Sequence, residues 1–314
     1  MSRDAYSYDP QDAGETRDTS TRRTARQQPS RPTDTRTGNN PASERLSRGD
    51  IAEAREQHPA RAERNDSPRA YYLRDRAYLL RDSEMNSLKE IGKFRVIPVS
   101  DLAKFAYGGN RERTEKDIRA LARHSLLKDT TLEISRKKTL RVVTLTKAGH
   151  RLLKNTNQVP DDQPIYHGLV KPREVKHDAD LYRLYQKEAA RIERAGGRPV
   201  RVLLDYELKR NLNRDLALLG PDKDNADRKR EIAEKHGLQM VNGKIPVPDL
   251  RVEYENSELE LRHVDLELAT RDYRPRAMAE KASAGFSLYG RSEDAPRLRR
   301  VLDEREITAG ILSL

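Results

Sequence analysis

Hydrophobic positions are almost missing from the first part of the chain. Residues 1–68 are rich in Arg, Asp, Thr, Ser, Pro and Gln, with scarcely an aliphatic side chain beyond Leu46 and Ile51. Such a segment cannot bury enough apolar surface to offset chain entropy and reads as a disordered tail. A short helix is expected over 50–57, where Asp50 caps Ile51-Ala52-Glu53-Ala54-Arg55. Apolar positions return at Tyr71, in a stretch to Leu80 that is apolar on one side. Helical spacing of Met85, Leu88 and Ile91 predicts a helix begun by Asp82 or Ser83 and ending near Gly92. Ser100, Leu102, Phe105 and Ala106 predict a second short helix, closed by Gly108-Gly109. Asn110 caps a third, from Arg111 to about Arg123, with Ile118, Leu121 and Ala122 inward. Alternating runs at 131–135 and 139–145, joined by Arg136-Lys137-Lys138, predict a hairpin, and Thr146 caps a last helix carrying Leu152 and Leu153.

Residues 156–175 contain Pro160, Pro164 and Pro172 and read as a linker. Beyond it, Leu181, Leu184, Tyr185 and Ile192 recur at helical spacing over 177–194, and Glu188 falls on that stripe. A strand is expected over 200–208 and a charged, solvent-facing helix over 222–236. A tight turn is expected at Asn242-Gly243 and a second strand from Pro248-Asp249 to Tyr254. The third strand, 259–269, alternates: Val264, Leu266 and Leu268 share one face, and His263, Asp265 and Glu267 the other. Pro275 opens a helix whose packing face holds Met278, Ala282, Gly285 and Tyr289, with Lys281 within it.

Charge changes this picture in one segment. The net charge of +11 divides into about +1 over residues 1–70, about +10 over 71–155 and about 0 over 156–314. A cationic excess confined to one small region is the footprint of a polyanion partner. In the tail, acids nearly cancel the many Arg residues, so a tether is the simpler reading. With no Cys, disulfides, cysteine zinc sites and thiol catalysis are excluded. No apolar run reaches the roughly 20 residues of a membrane span, and no secretory leader pattern is visible. The composition fits a cytoplasmic protein without a membrane partner.

The order helix, helix, helix, hairpin, helix over residues 82–155 resembles a winged helix-turn-helix domain. The phrase Leu145-Thr146-Lys147-Ala148-Gly149-His150-Arg151-Leu152-Leu153 is similar to the segment that follows the wing in many such domains. That resemblance implies double-stranded DNA as partner. The third helix would enter the major groove with Arg111, Arg113, Thr114, Lys116 and Asp117, while the wing tip, Arg136, Lys137 and Lys138, would meet phosphate or the minor groove. A winged helix used only for protein contacts stays open beside it.

The later segments resemble the PD-(D/E)XK nuclease superfamily. Glu188 matches its helix acid, Pro248-Asp249 its dipeptide and Asp265 its third-strand acid. The Lys expected after Asp265-Leu266 is replaced by Glu267, so the ammonium would come from Lys281. Residues 71–290 as a whole resemble the replication-relaxation proteins of bacterial mobile elements. The segments that carry this likeness are His177-Asp178-Ala179-Asp180-Leu181, Asp265-Leu266-Glu267-Leu268-Ala269-Thr270 and the Lys281 helix ending at Tyr289.

With the disordered tail over 1–68 and the linker over 156–175 read from composition, these resemblances imply an α/β (α+β) protein: a winged helix over 71–155 and a nuclease-like mixed sheet flanked by helices over 176–314. They also imply catalytic Asp249, Asp265, Glu267, Lys281 and Glu188. Of these, Asp249, Asp265 and Glu267 would hold Mg²⁺ or Mn²⁺, which activates a water and stabilises phosphoryl charge. His263 is a general-base candidate or a strand-face neighbour of the site. Two function classes remain open. One is a metal-dependent DNA endonuclease; the other is a non-catalytic regulator or accessory factor for replication or transfer, using the nuclease-like domain for dimerisation or partner binding.

Overall fold

Tyr71 and Tyr78 face each other across a hairpin, β1 (Arg69–Leu73) with β2 (Arg76–Leu80). Tyr78 and Leu80 turn inward, and Tyr72 and Leu79 remain exposed on the outer face. The computed structural model describes residues 67–314 apart from 136–137, 170–171, 221–224, 271–272 and 304–310. The expected tail and its short helix therefore lie outside the described residues, save Ser67 and Pro68.

After the hairpin come α1 (Asp82–Lys93), β3 (Ile97–Pro98), α2 (Val99–Ala106) and α3 (Arg111–Arg123). Then follow β4 (Leu127–Ser135), β5 (Lys138–Leu145) and α4 (Lys147–Asn155). Two caps act as their chemistry dictates. Asn110 accepts the amide of Arg113 at the start of α3, and Thr146 accepts that of Gly149 at the start of α4. Gly149 is required for packing, since a Cβ there would lie 2.1 Å from the Leu126 carbonyl oxygen. Strands β3, β5 and β4 pair antiparallel in that spatial order, and Ile118, Leu121, Leu126 and Val143 are buried with the helices.

The remaining elements are α5 (Pro172–Arg194), β6 (Arg198–Leu204), α6 (Asp205–Ala217), α7 (Ala226–Lys235), β7 (Leu250–Glu255) and β8 (Leu261–Ala269). They are completed by α8 (Pro275–Ser283), β9 (Ser287–Gly290), α9 (Ala295–Asp303) and β10 (Ile311–Ser313). The sheet order is β10-β9-β8-β7-β6. Antiparallel pairing joins β6 to β7 and β7 to β8, and parallel pairing joins β8 to β9 and β9 to β10. A parallel neighbour needs a crossover, which α8 supplies between β8 and β9. The chain is thus a mixed α/β fold, compatible with α+β, and no helix among the described residues is long and apolar enough to cross a membrane.

Two segments differ from the pattern along the sequence. The expected strand over 200–208 ends at Leu204, because Leu208 and Leu212 bury one helical face of α6 and Lys209 pairs with Asp205 one turn back. The Pro-containing stretch after α4 is pinned at Val159, Gln163 and Ile165, which are buried. The side-chain amide of Gln163 donates to the Val202 carbonyl, and its oxygen accepts the Val202 amide, both at 2.9 Å. This side chain covers the open edge of β6 as a strand would. Tyr166 donates its amide to the Gly92 carbonyl, and α5 begins at Pro172.

Helix α5 is shared by both sheets. Tyr182 meets Phe94 and Phe105 edge-on at 5.1 and 5.8 Å, and Tyr185 lies 5.1 Å from Phe94. Leu181, Leu184 and Ile192 belong to the same buried cluster, which also holds Val202, Val252 and Leu266, and the helix packs on β6, β7 and β8 as well. One continuous apolar cluster runs from Tyr78 to Tyr289.

Two outcomes follow. Tyr182→Ala should destabilise the fold by about 4 kcal/mol, because an aromatic ring is removed from a site too crowded to collapse; urea unfolding would measure it. His150 of α4 lies 4.9 Å from the ring of His167, and burial followed by that neighbour holds its pKa down at about 4, against 6.5 when free. Below pH 6.5 the unfolded chain takes up a proton that the folded chain refuses, so stability should fall as pH drops from 6.5 toward 4. A His150→Gln variant, unfolded at the same pH values, should lose that part of the slope.

Candidate nucleic-acid interface and carboxylate cluster

Helix α3 sorts its charges by face. Arg111, Arg113, Lys116, Arg119 and Arg123 are exposed, with Glu112 the acid among them. Asp117 is fully buried and accepts from Arg81 at 2.6 Å and from the Tyr107 hydroxyl at 3.0 Å. Ser87 bonds the same hydroxyl at 2.6 Å, and Arg81 also donates to Glu84. Glu115 accepts from Arg141 of β5 at 2.6 Å, and Arg141 in turn grips Asp129 of β4. Two of the three acids of the helix are thereby used to fasten it to the start of α1 and to the hairpin. What remains outward is five cations and Glu112.

Two residues expected to face the groove belong to the packed side. Thr114 is fully buried, its hydroxyl donating to the Asn110 carbonyl at 2.7 Å, and Asp117 is the anchor just described. At α-helical spacing, 114, 117, 118 and 121 form one stripe, and Thr114 and Asp117 extend the apolar face rather than oppose it. Arg119 and Arg123, which the sequence reading left out, lie on the exposed side. At the hairpin tip Lys138 is exposed, while Arg136 and Lys137 lie outside the described residues.

In the larger sheet, five expected active-site residues divide into two groups. Asp249, Glu267 and Lys281 come together. The Asp249 amide donates to Glu267 Oε2 at 3.3 Å, Lys281 Nζ donates to the same oxygen at 2.9 Å, and Asp249 Oδ2 accepts the Leu268 amide at 3.0 Å. Asp265 and Glu188 are engaged elsewhere. The Asp265 carboxylate is held two-pronged by Arg251 at 2.6 and 2.8 Å, and Arg251 further bonds the carbonyls of His236 and Gly237 at the end of α7. Glu188 of α5 accepts the Tyr289 hydroxyl at 2.7 Å and pairs with Arg191.

Strand register explains the division. Leu250 faces Leu266 and Arg251 faces Asp265, so Glu267 rather than Asp265 comes beside Asp249. The sequence shows acids at 265 and 267 but not which lies opposite position 249. His177 of α5 is the member that sequence reasoning missed, although it opens the segment His177-Asp178-Ala179-Asp180. Its Nε2 is 3.5 Å from Asp249 and its Nδ1 3.6 Å from Asp178. Tyr273, also missed, donates its hydroxyl to Glu267 Oε1. His263, the general-base candidate, lies opposite Glu253 on the exposed part of β8.

The electrostatics follow from burial and neighbours. Burial opposes a charge on His177, but bonds to Asp178 and Asp249 outweigh it and raise its pKa to about 10. Burial, then Asp249, pushes Glu267 up; burial also acts against Asp249, but His177 holds it below the usual carboxylate range. The Tyr273 phenol is driven upward by burial and by Glu267.

This donor set does not fit a hard divalent cation. Both oxygens of Glu267 and Oδ2 of Asp249 already accept protein donors, and Asp265 is neutralised by Arg251. Among the described residues no three His, Asp or Glu side chains converge as a metal-binding group. In comparisons with protein-family models, curated proteins and solved structures, the chain matches none.

Arg251→Met should cost about 3–5 kcal/mol by leaving a buried carboxylate uncompensated, whereas Arg251→Met with Asp265→Leu should recover most of that loss in denaturant unfolding. Asp117→Ala should cost about 3 kcal/mol and loosen α3, seen as faster amide exchange in that helix.

Proposed function

We propose that this chain binds double-stranded DNA, with α3 in the major groove and the β4–β5 hairpin beside it. The observation that carries the proposal is the sorting of charge on α3: Asp117 and Glu115 are tied down by Arg81 and Arg141, and five cations face outward against one acid, Glu112. The order α1, β3, α2, α3, β4, β5 supports reading this part as a winged helix, and the fixed helix is what groove recognition needs. Outward Arg residues suit guanine edges or phosphates, and Lys116 suits phosphate.

For the larger sheet, the order α5, β6, β7, β8, α8 and β9, with α6 and α7 inserted between β6 and β7, supports kinship with the PD-(D/E)XK nucleases. The contacts of its carboxylates favour a non-cleaving member, a DNA-binding accessory factor in replication or transfer of a mobile element. Endonuclease activity is the second reading, favoured by the meeting of Asp249, Glu267 and Lys281.

Anisotropy titrations of duplex DNA at several salt concentrations test the binding. Arg111, Arg113 and Lys116 replaced together by Ala should weaken affinity and flatten the log–log salt slope by up to about 3, because up to three cation–phosphate contacts no longer release counterions. Unchanged affinity and slope would rule out α3 as the interface. Incubating supercoiled plasmid with Mg²⁺ or Mn²⁺ tests the second reading. Nicking by the natural chain that is lost in the Asp249→Ala, Glu267→Ala variant would establish cleavage.

A further inference from the structure

We infer that Lys281 is the built-in cation of the Asp249–Glu267 pair, filling by covalent attachment the place that a divalent metal would take in a nuclease of this topology. The residue two positions after Glu267 on β8 is Ala269, which is fully buried and carries no charge. The ammonium comes instead from α8, the crossover between β8 and β9. It enters a cradle with three kinds of wall. Nζ donates to the Val247 carbonyl at 2.6 Å and to Glu267 Oε2 at 2.9 Å, and it lies 5.3 Å from the centre of the Phe286 ring. A carbonyl, a carboxylate and an aromatic face are each favourable to an ammonium.

Val247 precedes Asp249 by two residues, so the stretch that delivers the first carboxylate also grips the cation. Lys281 is mostly covered and Glu267 almost wholly so. A carboxylate so deeply buried must be paired. The second carboxylate is held by His177 and by the Leu268 amide, and the Tyr273 hydroxyl closes the other oxygen of Glu267.

A metal ion would have to displace an ammonium whose effective concentration is set by its own chain, as in any intramolecular contact. It would also have to shed water, which Mg²⁺ does reluctantly. Two carboxylates already faced by an ammonium and by His177 offer it little net charge. Removing the ammonium reverses this balance, because the buried carboxylates are then left with a deficit of positive charge.

Mn²⁺ titration of the full-length protein, without DNA, tests the inference by the loss of the free-ion electron paramagnetic resonance signal. The natural chain should show no saturable site in the millimolar range. Lys281→Met, its fold checked by circular dichroism, should gain one site at least about tenfold tighter than any binding by the natural chain. Adding Asp249→Asn should abolish that site. A single Mn²⁺ bound by the natural chain and lost in Asp249→Asn would overturn the inference. So would a folded Lys281→Met that binds no Mn²⁺. If Lys281→Met does not fold, the natural chain against Asp249→Asn still decides. Because DNA is absent, either result leaves the reading of α3 untouched.

Discussion

The burial of α5 on two sides is the constraint on which the rest of the protein depends. A helix with one apolar face can close one layer; this one closes two. Tyr182 and Tyr185 meet Phe94, with Phe105 also against Tyr182, and Leu181, Leu184 and Ile192 are buried in the same cluster, while the helix packs on strands of both sheets. Polar contacts follow the same division. Arg183 bridges Asp101 of α2 and Asp180, whose other oxygen takes Arg291 beyond β9. Near its start, Arg95 pairs with Glu174 and Asp178, and the intervening His177 reaches Asp249. The part that carries α3 and the carboxylate cluster therefore rest on neighbouring residues of one element.

The two candidate sites use buried charge in contrasting ways. On α3, buried Asp117 and half-buried Glu115 are spent on fastening, which leaves Glu112 as the remaining acid among five outward cations. In the larger sheet, cations are brought to buried acids and the result is close to neutral. Buried ion pairs contribute modestly to stability in themselves, since desolvation offsets much of their attraction, but each is costly to break. They act here mainly by fixing which side chain faces which, and the Arg251–Asp265 pair illustrates this by tying β7 and β8 to the end of α7.

Much of the fold was legible in the sequence because it follows from local periodicity and from single residues. The helical spacing of α1 and α3, the caps at Asn110 and Thr146 and the alternation of β8 are local properties, and each of these elements lies close to where its pattern put it. Helix α8, by contrast, stops at Ser283, before Gly285 at φ +84°, and Tyr289, expected on that helix, lies in β9. The cationic excess of one segment is likewise a property of composition. Absence of Cys excludes thiol chemistry without any structure.

Tertiary structure decided what depends on partners distant in sequence. Asp117 and Thr114 look polar and therefore outward, but Arg81 and Tyr107, from other elements, make a buried place for the acid. Gln163 looks like a linker residue until the open edge of β6 lies beside it. Acids at 249, 265 and 267 are equivalent as letters; only the pairing of β7 with β8 separates the one locked by Arg251 from the one beside Asp249. His177 joins that cluster because α5 passes over the start of β7. The sequence thus determined element types and net charge, since these arise from neighbours along the chain. Which charges face each other was decided by strand register and helix placement, since desolvation and Coulomb energy depend on distance in space.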